Sequence, residues 1–348
     1  MRPNASSSHL SGEVVLKVLV AGGAGFIGSH LCARLLREGH TVVCVDNLLT
    51  GAERNIAPLR SSGADARFTF VQRDVTEPFD LAGDGAEIVD GVDAIFQLAS
   101  PASPIGYWNH PFETIRVNTI GTTNLLEVAR ARGARLLTAS TSESYGDPLV
   151  HPQREDYFGN VNPIGVRACY DESKRLGETI TMEYVRRLGV DARIVRIFNT
   201  YGPNSQLNDG RMIPNFITQS LSHQPLTIHG TGEQTRSICY VDDLVDGLMR
   251  ALFTENTTGQ VFNLGNPEEQ TIREWAQRII RLCDSTSELV FEPKREDDPE
   301  RRRPNIEKAR TQLGWEPSVT PDEGLTRTIA WFRSEMEREG ACLPARAG

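Results

Sequence analysis

Residues Val20–His30 read VAGGAGFIGSH and place Gly22, Gly25 and Gly28 between an apolar run and a helical segment. The preceding run, LKVLVAGG, predicts a buried strand, and SHLCARLLREG has the spacing of an amphipathic helix. Glycines at this spacing let the backbone approach a pyrophosphate, which then lies at the helix N-terminus. Taken alone, such a pattern is also compatible with an ordinary tight turn.

An acidic residue ends the strand that follows. Asp46 closes the apolar run TVVCVDN, where its carboxylate is placed to bond the ribose hydroxyls of an adenosine, which favours NAD over NADP. Asp74 ends the third predicted strand and is placed to reach the adenine, although a solvated acid at a strand end is the alternative. Strand, glycine loop, helix and acid together predict a dinucleotide site.

Short apolar runs and helical segments alternate on both sides of this unit. RFTFVQRDV, DAIFQLAS and ARLLTAS predict further strands, with a helical stretch over Pro111–Arg132. SKRLGETITMEYVRRLG predicts another helix, and the strand DARIVRIFN follows it. This alternation predicts an α/β protein with a Rossmann-type doubly wound parallel sheet, covered by helices on both faces.

The composition changes after about Tyr201, where polar loops, short strands and Pro-rich segments follow. We expect a disordered leader over residues 1–14 and an NAD-binding domain that carries the catalytic residues over 15–200. A smaller C-terminal α/β domain over 201–335 is expected to bind the substrate, with some chain crossing back to the first domain. Residues 336–348 are expected to form a tail.

The overall composition excludes several classes of protein. Among 348 residues, 39% are hydrophobic and 24% are charged, as in ordinary globular proteins, and the net charge of -9 argues against nucleic-acid binding. No run of about 18 apolar residues occurs, so no membrane span is expected. The six cysteines form no CxxC pair, which predicts free thiols, no metal site and a cytoplasmic location.

Tyr170 and Lys174 lie one helical turn apart in ACYDESKRLGE and therefore share a helix face. A tyrosine has an ordinary pKa of about 10 and is a poor base at neutral pH. A neighbouring ammonium and a positively charged nicotinamide would favour the phenolate. We therefore expect Tyr170 to be the base of a redox reaction and Lys174 to activate it.

A second polar stretch, STSESYGDP at Ser140–Pro148, directly follows a predicted buried strand. Its carboxylate, Glu143, is costly at the mouth of a strand unless it has a use. A helix cap or a turn is the alternative reading of such a stretch.

Together these motifs resemble the extended short-chain dehydrogenases/reductases, in the branch that acts on sugar nucleotides, over about Val18 to Phe332. In that family a Thr or Ser lies four residues before the Tyr of a YG pair, and Thr141 stands there ahead of Tyr145. The stretches LASPASP, HPQREDYFGNVNPIGVRACYDESKR, NDGRMIPNF, GEQTR and DDPERRRP resemble the UDP-glucuronate decarboxylases of this branch.

The resemblance implies a reaction at the sugar. UDP-glucuronate would be oxidised at C4, the resulting β-keto acid would lose carbon dioxide, and return of the hydride would give UDP-xylose with NAD recycled. Thr141 would bond the 4-hydroxyl, and with Tyr170 it would stabilise the oxyanion. Glu143, preceded by Ser142 where dehydratases have Asp, would disfavour a charged substrate carboxylate or order a water. Arg236 would orient that carboxylate or help protonate C5, with a structural arginine as the alternative.

The resemblance also implies the ligand-binding residues. The implied NAD-binding residues are Gly22, Gly25, Phe26, Ile27, Gly28, Asp46, Asn47, Asp74, Val75, Leu98, Asn118, Tyr170 and Lys174. The implied sugar-nucleotide residues are Tyr107, Asn199, Arg211, Arg236 and Arg302, with Asn199, Arg211 and Arg302 on the nucleotide half. A homodimer is implied through the helix after Asn109 and the helix of Tyr170.

Three positions depart from the decarboxylase pattern. Gln97 replaces a customary His, Ser144 a Val and Asn305 an Asp. The alternatives are therefore a sugar-nucleotide 4-epimerase, a 4,6-dehydratase or a UDP-apiose/xylose synthase of the same family. A non-catalytic NAD-sensing module is the alternative from another class, and the presence of both Tyr170 and Lys174 argues against it.

Overall fold

The computed structural model describes residues 15–61, 65–83, 86–293 and 301–340, and the predicted leader lies outside them. The described strands are β1 (Lys17–Ala21), β2 (Thr41–Asp46), β3 (Phe68–Gln72), β4 (Ala94–Gln97), β5 (Arg135–Thr141), β6 (Ala192–Ile197), β7 (Thr200–Tyr201), β8 (Leu226–His229), β9 (Thr235–Ser237), β10 (Cys239–Tyr240), β11 (Val261–Leu264), β12 (Glu269–Thr271), β13 (Leu289–Glu292) and β14 (Arg301–Arg302).

Helices connect these strands in the alternating order that the sequence predicts. The described helices are α1 (Phe26–Arg37), α2 (Glu53–Ser61), α3 (Pro104–Asn109), α4 (Pro111–Arg116), α5 (Thr122–Arg132), α6 (Ala168–Leu188), α7 (Met212–Leu221), α8 (Val241–Phe253), α9 (Ile272–Cys283), α10 (Glu307–Leu313) and α11 (Pro321–Arg338). A π-helical turn over Val117–Gly121 joins α4 to α5, so the predicted helix over 111–132 is interrupted.

Seven of the described strands form one parallel sheet in the order β11-β6-β5-β4-β1-β2-β3. Strand β1 is buried from Val18 to Ala21, as expected for an apolar run with helices on both faces. The order reverses at β1, which lies between β2 and β4. Ligands of such sheets bind at the carboxyl ends of the strands near this reversal. The predicted Rossmann-type sheet is confirmed.

The second half of the chain contributes to both parts of the molecule. Strand β11 pairs with β6 in the main sheet, and α8 packs against α1. Smaller sheets are formed by β12-β9-β14, by β13-β8 and by β10-β7. One hydrophobic core includes residues from Val18 on β1 to Phe332 on α11. The chain after Tyr201 therefore completes the main sheet besides building the smaller region.

Two helices are longer than the sequence pattern suggests. Helix α6 begins at Ala168, so Tyr170 and Lys174 both lie within its first two turns. It ends at Leu188, and the residue that follows, Gly189, has a φ of 67°, which suits glycine. Helix α11 continues to Arg338 and buries Met336 in the core, beyond the boundary expected at residue 335. No described helix is long and apolar enough to span a membrane.

Candidate active site

A cavity of about 810 Å³ follows the carboxyl ends of the parallel strands. Its walls come from the glycine loop, the ends of β2, β4, β5 and β6, and the loops of the second half of the chain. Of the residues implied for NAD and the sugar nucleotide, Asn118 is the one that is not part of its lining. Asn118 instead lies buried in the π-helical turn and donates to the Ser173 hydroxyl at 2.9 Å.

The glycine loop packs so closely against neighbouring backbone that side chains would not fit. A Cβ added at Gly28 would lie 2.1 Å from the Gly22 carbonyl oxygen, and one at Gly22 would lie 2.7 Å from the Ala99 amide nitrogen. Gly22 also has a φ of 79°. Helix α1 begins directly after Gly25, with no side chain capping its first amides. The first amides of α1 therefore have no side-chain acceptor, and a pyrophosphate at this helix N-terminus can accept hydrogen bonds from them.

Two carboxylates follow this loop along the cavity. Asp46 accepts hydrogen bonds from the amides of Ala24 at 3.0 Å and Leu48 at 2.8 Å, and burial raises its pKa. Burial acts to raise the pKa of Asp74 as well. Hydrogen bonds from Thr76 and Asn47 outweigh this effect, so the pKa of Asp74 is lowered. A glycine cradle followed by these acids fits NAD.

Thr141 and Tyr170 meet where β5 ends against α6. Both side chains are buried, and the Thr141 side chain hydrogen-bonds the Tyr170 hydroxyl. Tyr107 stacks on the Tyr170 ring with centroids 5.1 Å apart. Lys174, one turn further along α6, donates to the Ala139 carbonyl at 2.8 Å. Its Nζ lies 5.9 Å from the centre of the Tyr170 ring.

Burial dominates the ionisation of this pair. It raises the pKa of Tyr170 to about 12, against the lowering effect of the Thr141 hydrogen bond. It lowers the pKa of Lys174 to about 7, although the charge of Glu178 opposes the change. That Lys174 and a positively charged nicotinamide together favour the Tyr170 phenolate stays a prediction, and their charges have to offset this loss of hydration. With a pKa of about 7, Lys174 gains and loses its charge near neutral pH.

Glu143 lies between two arginines in the turn after β5. Its carboxylate pairs with Arg167 at 2.5 Å and with Arg302, whose Nη1 donates to the other oxygen. Burial opposes ionisation of Glu143, but the charges of Arg302 and Arg167 outweigh it and hold its pKa at about 2. Glu143 is therefore ionised at neutral pH, and Glu143, Arg167 and Arg302 together carry one net positive charge.

The assignment of Arg302 to the nucleotide half stays a prediction. In the structure its side chain contacts both Glu143 and the Gly146 carbonyl in the turn after β5. The cause is strand register, since β14 pairs with β9 so that Arg302 is opposite Arg236. Both arginines are buried and line the cavity beside each other.

The remaining predicted substrate residues lie along the same cavity. Arg211 donates to the Ala102 carbonyl at 2.7 Å and pairs with Asp209, and Asn199 follows β6. Ser142 is buried in the turn beside Glu143. Tyr107 is almost fully buried, and burial raises its pKa. The structure therefore brings these residues into one cavity with Thr141, Tyr170 and Lys174.

Arg167 is a cavity residue that the sequence reasoning missed. It precedes α6, three positions before Tyr170, and this spacing places the two side chains on neighbouring parts of one helix face. Its Nε and the Nε of Arg302 are buried without a hydrogen-bond partner among the described residues. A basic residue three positions before the Tyr of YxxxK was the signal available in the sequence.

The departures at Gln97 and Asn305 have local structural roles. Gln97 is buried, accepts from the Ala99 amide at 3.1 Å and donates to the Val117 carbonyl at 3.3 Å. The side chain of Asn305 accepts from the Glu307 amide at 3.0 Å, where α10 begins. Neither side chain is part of the cavity lining.

Comparison with known proteins agrees with this geometry. Residues 18–265 match the NAD dependent epimerase/dehydratase family. UDP-glucuronic acid decarboxylase 1 of Danio rerio is 50% identical over 323 residues, which cover 93% of this chain and 74% of that protein. UDP-glucuronic acid decarboxylase 3 of Arabidopsis thaliana is 49% identical over 322 residues, which cover 92% and 90% of the two chains.

A solved structure is similar over almost the whole fold. UDP-glucuronic acid 4-epimerase from Bacillus cereus, in complex with UDP-glucuronic acid and NAD, has a TM-score of 0.81 and 28% sequence identity. The alignment covers 92% of this chain and 100% of that one. From the family match, these identities and the cavity geometry, the chain belongs to the NAD-dependent epimerase/dehydratase family.

Proposed function

We propose that the chain converts UDP-glucuronate to UDP-xylose and carbon dioxide through a 4-keto sugar. The observation that carries this proposal is the cluster of Glu143, Arg167 and Arg302 beside Thr141 and Tyr170. A cluster with a net positive charge next to these two residues suits a substrate whose sugar carries a carboxylate. The similarity to named UDP-glucuronic acid decarboxylases supports the same assignment.

When bound, NAD would supply the hydride acceptor for oxidation at C4 of the sugar and the hydride donor for the return step. The chain's own groups handle the protons and the developing charge. Tyr170 removes the proton from the 4-hydroxyl while Thr141 holds that oxygen by a hydrogen bond. Lys174, which titrates near neutral pH, supplies positive charge beside Tyr170 when it is protonated. The glycine loop, Asp46 and Asp74 hold the cofactor.

Loss of carbon dioxide follows from the position of the carboxylate. Once C4 is a ketone, the C5 carboxylate is β to a carbonyl, and the electrons of the breaking bond pass to an enolate oxygen. Thr141 and protonated Tyr170 hydrogen-bond that oxygen. Arg302 and Arg236 lie together where they orient the carboxylate, and Glu143 limits how tightly the arginines hold its charge. A water beside the ionised Glu143 then protonates C5, because neither that carboxylate nor an arginine is a proton donor at neutral pH.

Incubation of the protein with UDP-glucuronate and NAD should release carbon dioxide and form UDP-xylose, followed by proton NMR and mass spectrometry. Tyr170→Phe keeps the ring stack with Tyr107 but lacks the hydroxyl, so the rate should fall by about 10²-fold or more. UDP-galacturonate without carbon dioxide would show a 4-epimerase instead, and UDP-apiose among the products would show ring contraction.

The arginine cluster should matter more for decarboxylation than for oxidation at C4. Arg302→Gln removes one charged partner of Glu143, and we expect kcat for carbon dioxide release to fall by about 10²–10³-fold. Arg301→Gln, an exposed neighbour on the same strand, is the matched control and should retain activity. If Arg302→Gln and Arg301→Gln were equally active, Arg302 would have no role in the reaction.

We infer that NAD stays bound between turnovers, because a loop closes over its cavity. This bridging loop, residues 202–211, contacts three separate parts of the cofactor domain. Its contacts are Pro203 O with His30 Nε2 at 2.9 Å, Asn204 Nδ2 with Ser29 Oγ at 3.0 Å, Gln206 Nε2 with Thr50 O at 2.9 Å and Arg211 Nη2 with Ala102 O at 2.7 Å. Such retention would let one NAD serve successive turnovers.

Loosening the bridging loop should speed NAD release. Asn204→Gly preserves the positive φ of 65° but removes the amide, and with Gln206→Ala it should raise the NAD dissociation rate by roughly 10–30-fold at ~1 kcal/mol for each hydrogen bond. The rate is measured by stopped-flow fluorescence. Asn256→Gly, at a φ of 62° on a distant turn, is the control. Equal release rates would argue against a closing role.

We also propose that the chain forms a homodimer through α4, the π-helical turn and α6. These elements expose Phe112, Ile115, Ile120 and Leu176, and an apolar stripe of this kind typically marks a protein interface. A second copy of the chain presents the same apolar face, elongated along paired helices, so the two faces can pack against each other. No membrane or nucleic acid is part of this proposal.

A charge in the stripe should separate the two copies. Phe112, whose side chain is 70% exposed, becomes buried in the proposed dimer, so Phe112→Glu should give monomers by analytical ultracentrifugation. Phe291→Glu places the same change on a half-exposed residue of β13 and should leave the mass unchanged. A wild-type protein that sediments as a monomer would contradict the dimer.

A cytoplasmic location is the last part of the proposal. The five described cysteines are free, and Cys342 lies outside the described residues. Free thiols suit a reducing compartment. Fractionation of cells that express the protein tests this location, and recovery in an oxidising compartment would contradict it.

A further inference from the structure

Glu178 is a largely buried acid that the proposed reaction does not use. It follows Lys174 by four residues on α6, so the two side chains lie on one face of the helix. Its carboxylate lies between α6 and the strands β5 and β6, where it contacts Ser140 and Arg196. A carboxylate in such a place is costly unless it is fully paired.

The pairing of Glu178 is extensive. Its Oε1 accepts from the Ser140 hydroxyl at 2.5 Å and from Arg196 Nε at 2.9 Å, and its Oε2 accepts from Arg196 Nη2 at 2.7 Å. Ser140 and Arg196 are register partners on adjacent strands, which explains why both side chains reach the same acid. The two-pronged contact with Arg196 fixes the carboxylate plane.

This pair holds the catalytic turn from both sides. Ser140 precedes Thr141 directly, and Ser144 follows Glu143 with its hydroxyl 3.2 Å from that of Ser140 and 3.4 Å from Glu178 Oε1. On the far side, Arg196 Nη1 donates to the Tyr145 hydroxyl at 3.0 Å.

A second anchor lies one helical turn away. Lys174 Nζ binds the Ala139 carbonyl on the same strand, adjacent to Ser140. Two consecutive residues of β5 are thus fastened to two consecutive turns of α6. Together they set the spacing between the strand end that carries Thr141 and the helix that carries Tyr170.

We propose that Glu178, held by Arg196, is a positioning residue that fixes the Thr141–Glu143 turn against the helix bearing Tyr170 and Lys174. This inference rests on the proposed function, because the geometry it protects is that of the reaction at C4 and C5. It also gives the hydroxyl of Ser144, a departure from the decarboxylase pattern, a partner in the same network. A displacement of about 1 Å in such a turn is enough to slow a reaction strongly.

Glu178 has an electrostatic effect as well. Burial lowers the pKa of Lys174, and the negative charge of Glu178 opposes that change. The charged residues on the elements packed around α6 are Glu113 and Arg116 on α4, Glu127, Arg130 and Arg132 on α5, Arg135 on β5, Arg193 and Arg196 on β6, and Glu143 in the turn. The charge that acts on Lys174 is that of Glu178, not that of any residue on these elements. Neutralising Glu178 should therefore lower the pKa of Lys174, so that Lys174 loses its proton at a lower pH.

The test replaces the charge without changing the shape. Glu178→Gln should lower kcat for UDP-glucuronate by about 10–100-fold with KM changed less than about two-fold, because the turn carries the groups that act in the transition state, whereas the nucleotide-binding part of the cavity is left unchanged. The alkaline limb of the kcat profile should move to lower pH. Glu183→Gln, on an exposed part of the same helix, is the control and should match the wild type.

A second variant guards against unfolding. Glu178→Gln leaves Arg196 buried without its carboxylate, so the double variant Glu178→Gln/Arg196→Met removes both charges. If this variant folds but remains slow with a shifted pH profile, the inference holds. If its kcat and pH profile equal those of the wild type, Glu178 has no positioning role.

Failure of the proposed function would look different. A wild-type protein that releases no carbon dioxide from UDP-glucuronate contradicts the function and leaves Glu178 to be tested without substrate. NMR titration of labelled Lys174 in the wild type and in Glu178→Gln then gives the answer. A lower pKa in the variant supports the inference, and an unchanged pKa contradicts it.

Discussion

The ion pairs of Glu143 join the parts of the molecule that must act together. The acid comes from the turn after β5, Arg167 from the start of α6, and Arg302 from a two-residue strand late in the chain. Removing a carboxylate from water is costly, and the two guanidinium groups offset that cost only where they are held in place. The sheet and α6 provide this support on one side, and the β12-β9-β14 sheet provides it on the other.

The main sheet and the cofactor cavity could be predicted because their signals are local. Strand, glycine loop, helix and acid follow one another within Val18–Asp46, and short-range spacing is what a sequence displays directly. Tyr170 and Lys174 are predictable for the same reason. The contact of Arg302 with Glu143 was not, because it depends on the pairing of β14 with β9, whose paired residues are 66 positions apart in the chain. Ionisation of Lys174 likewise depends on burial that no motif encodes.

The chain after Tyr201 contributes to both regions of the structure. Strand β11 belongs to the main sheet, although the composition changes well before it, and α8 packs between the two regions. A change in polarity along the sequence reports where loops are exposed, but it does not report which sheet a later strand joins. The core from Val18 to Phe332 is continuous, so the two regions share one hydrophobic interior.

The register of Arg236 opposite Arg302 also bears on how reactions diversify within one fold. Thr141, Tyr170 and Lys174, which we propose act at the 4-hydroxyl, are encoded within a short span of the chain that also carries Glu143 and Arg167, whereas both arginines of this register pair come from strands encoded far downstream. Mutation in the downstream strands can therefore alter what happens at C5 while the redox step at C4 is inherited unchanged. A lineage can in this way acquire or lose carbon–carbon bond cleavage without rebuilding its hydride-transfer site.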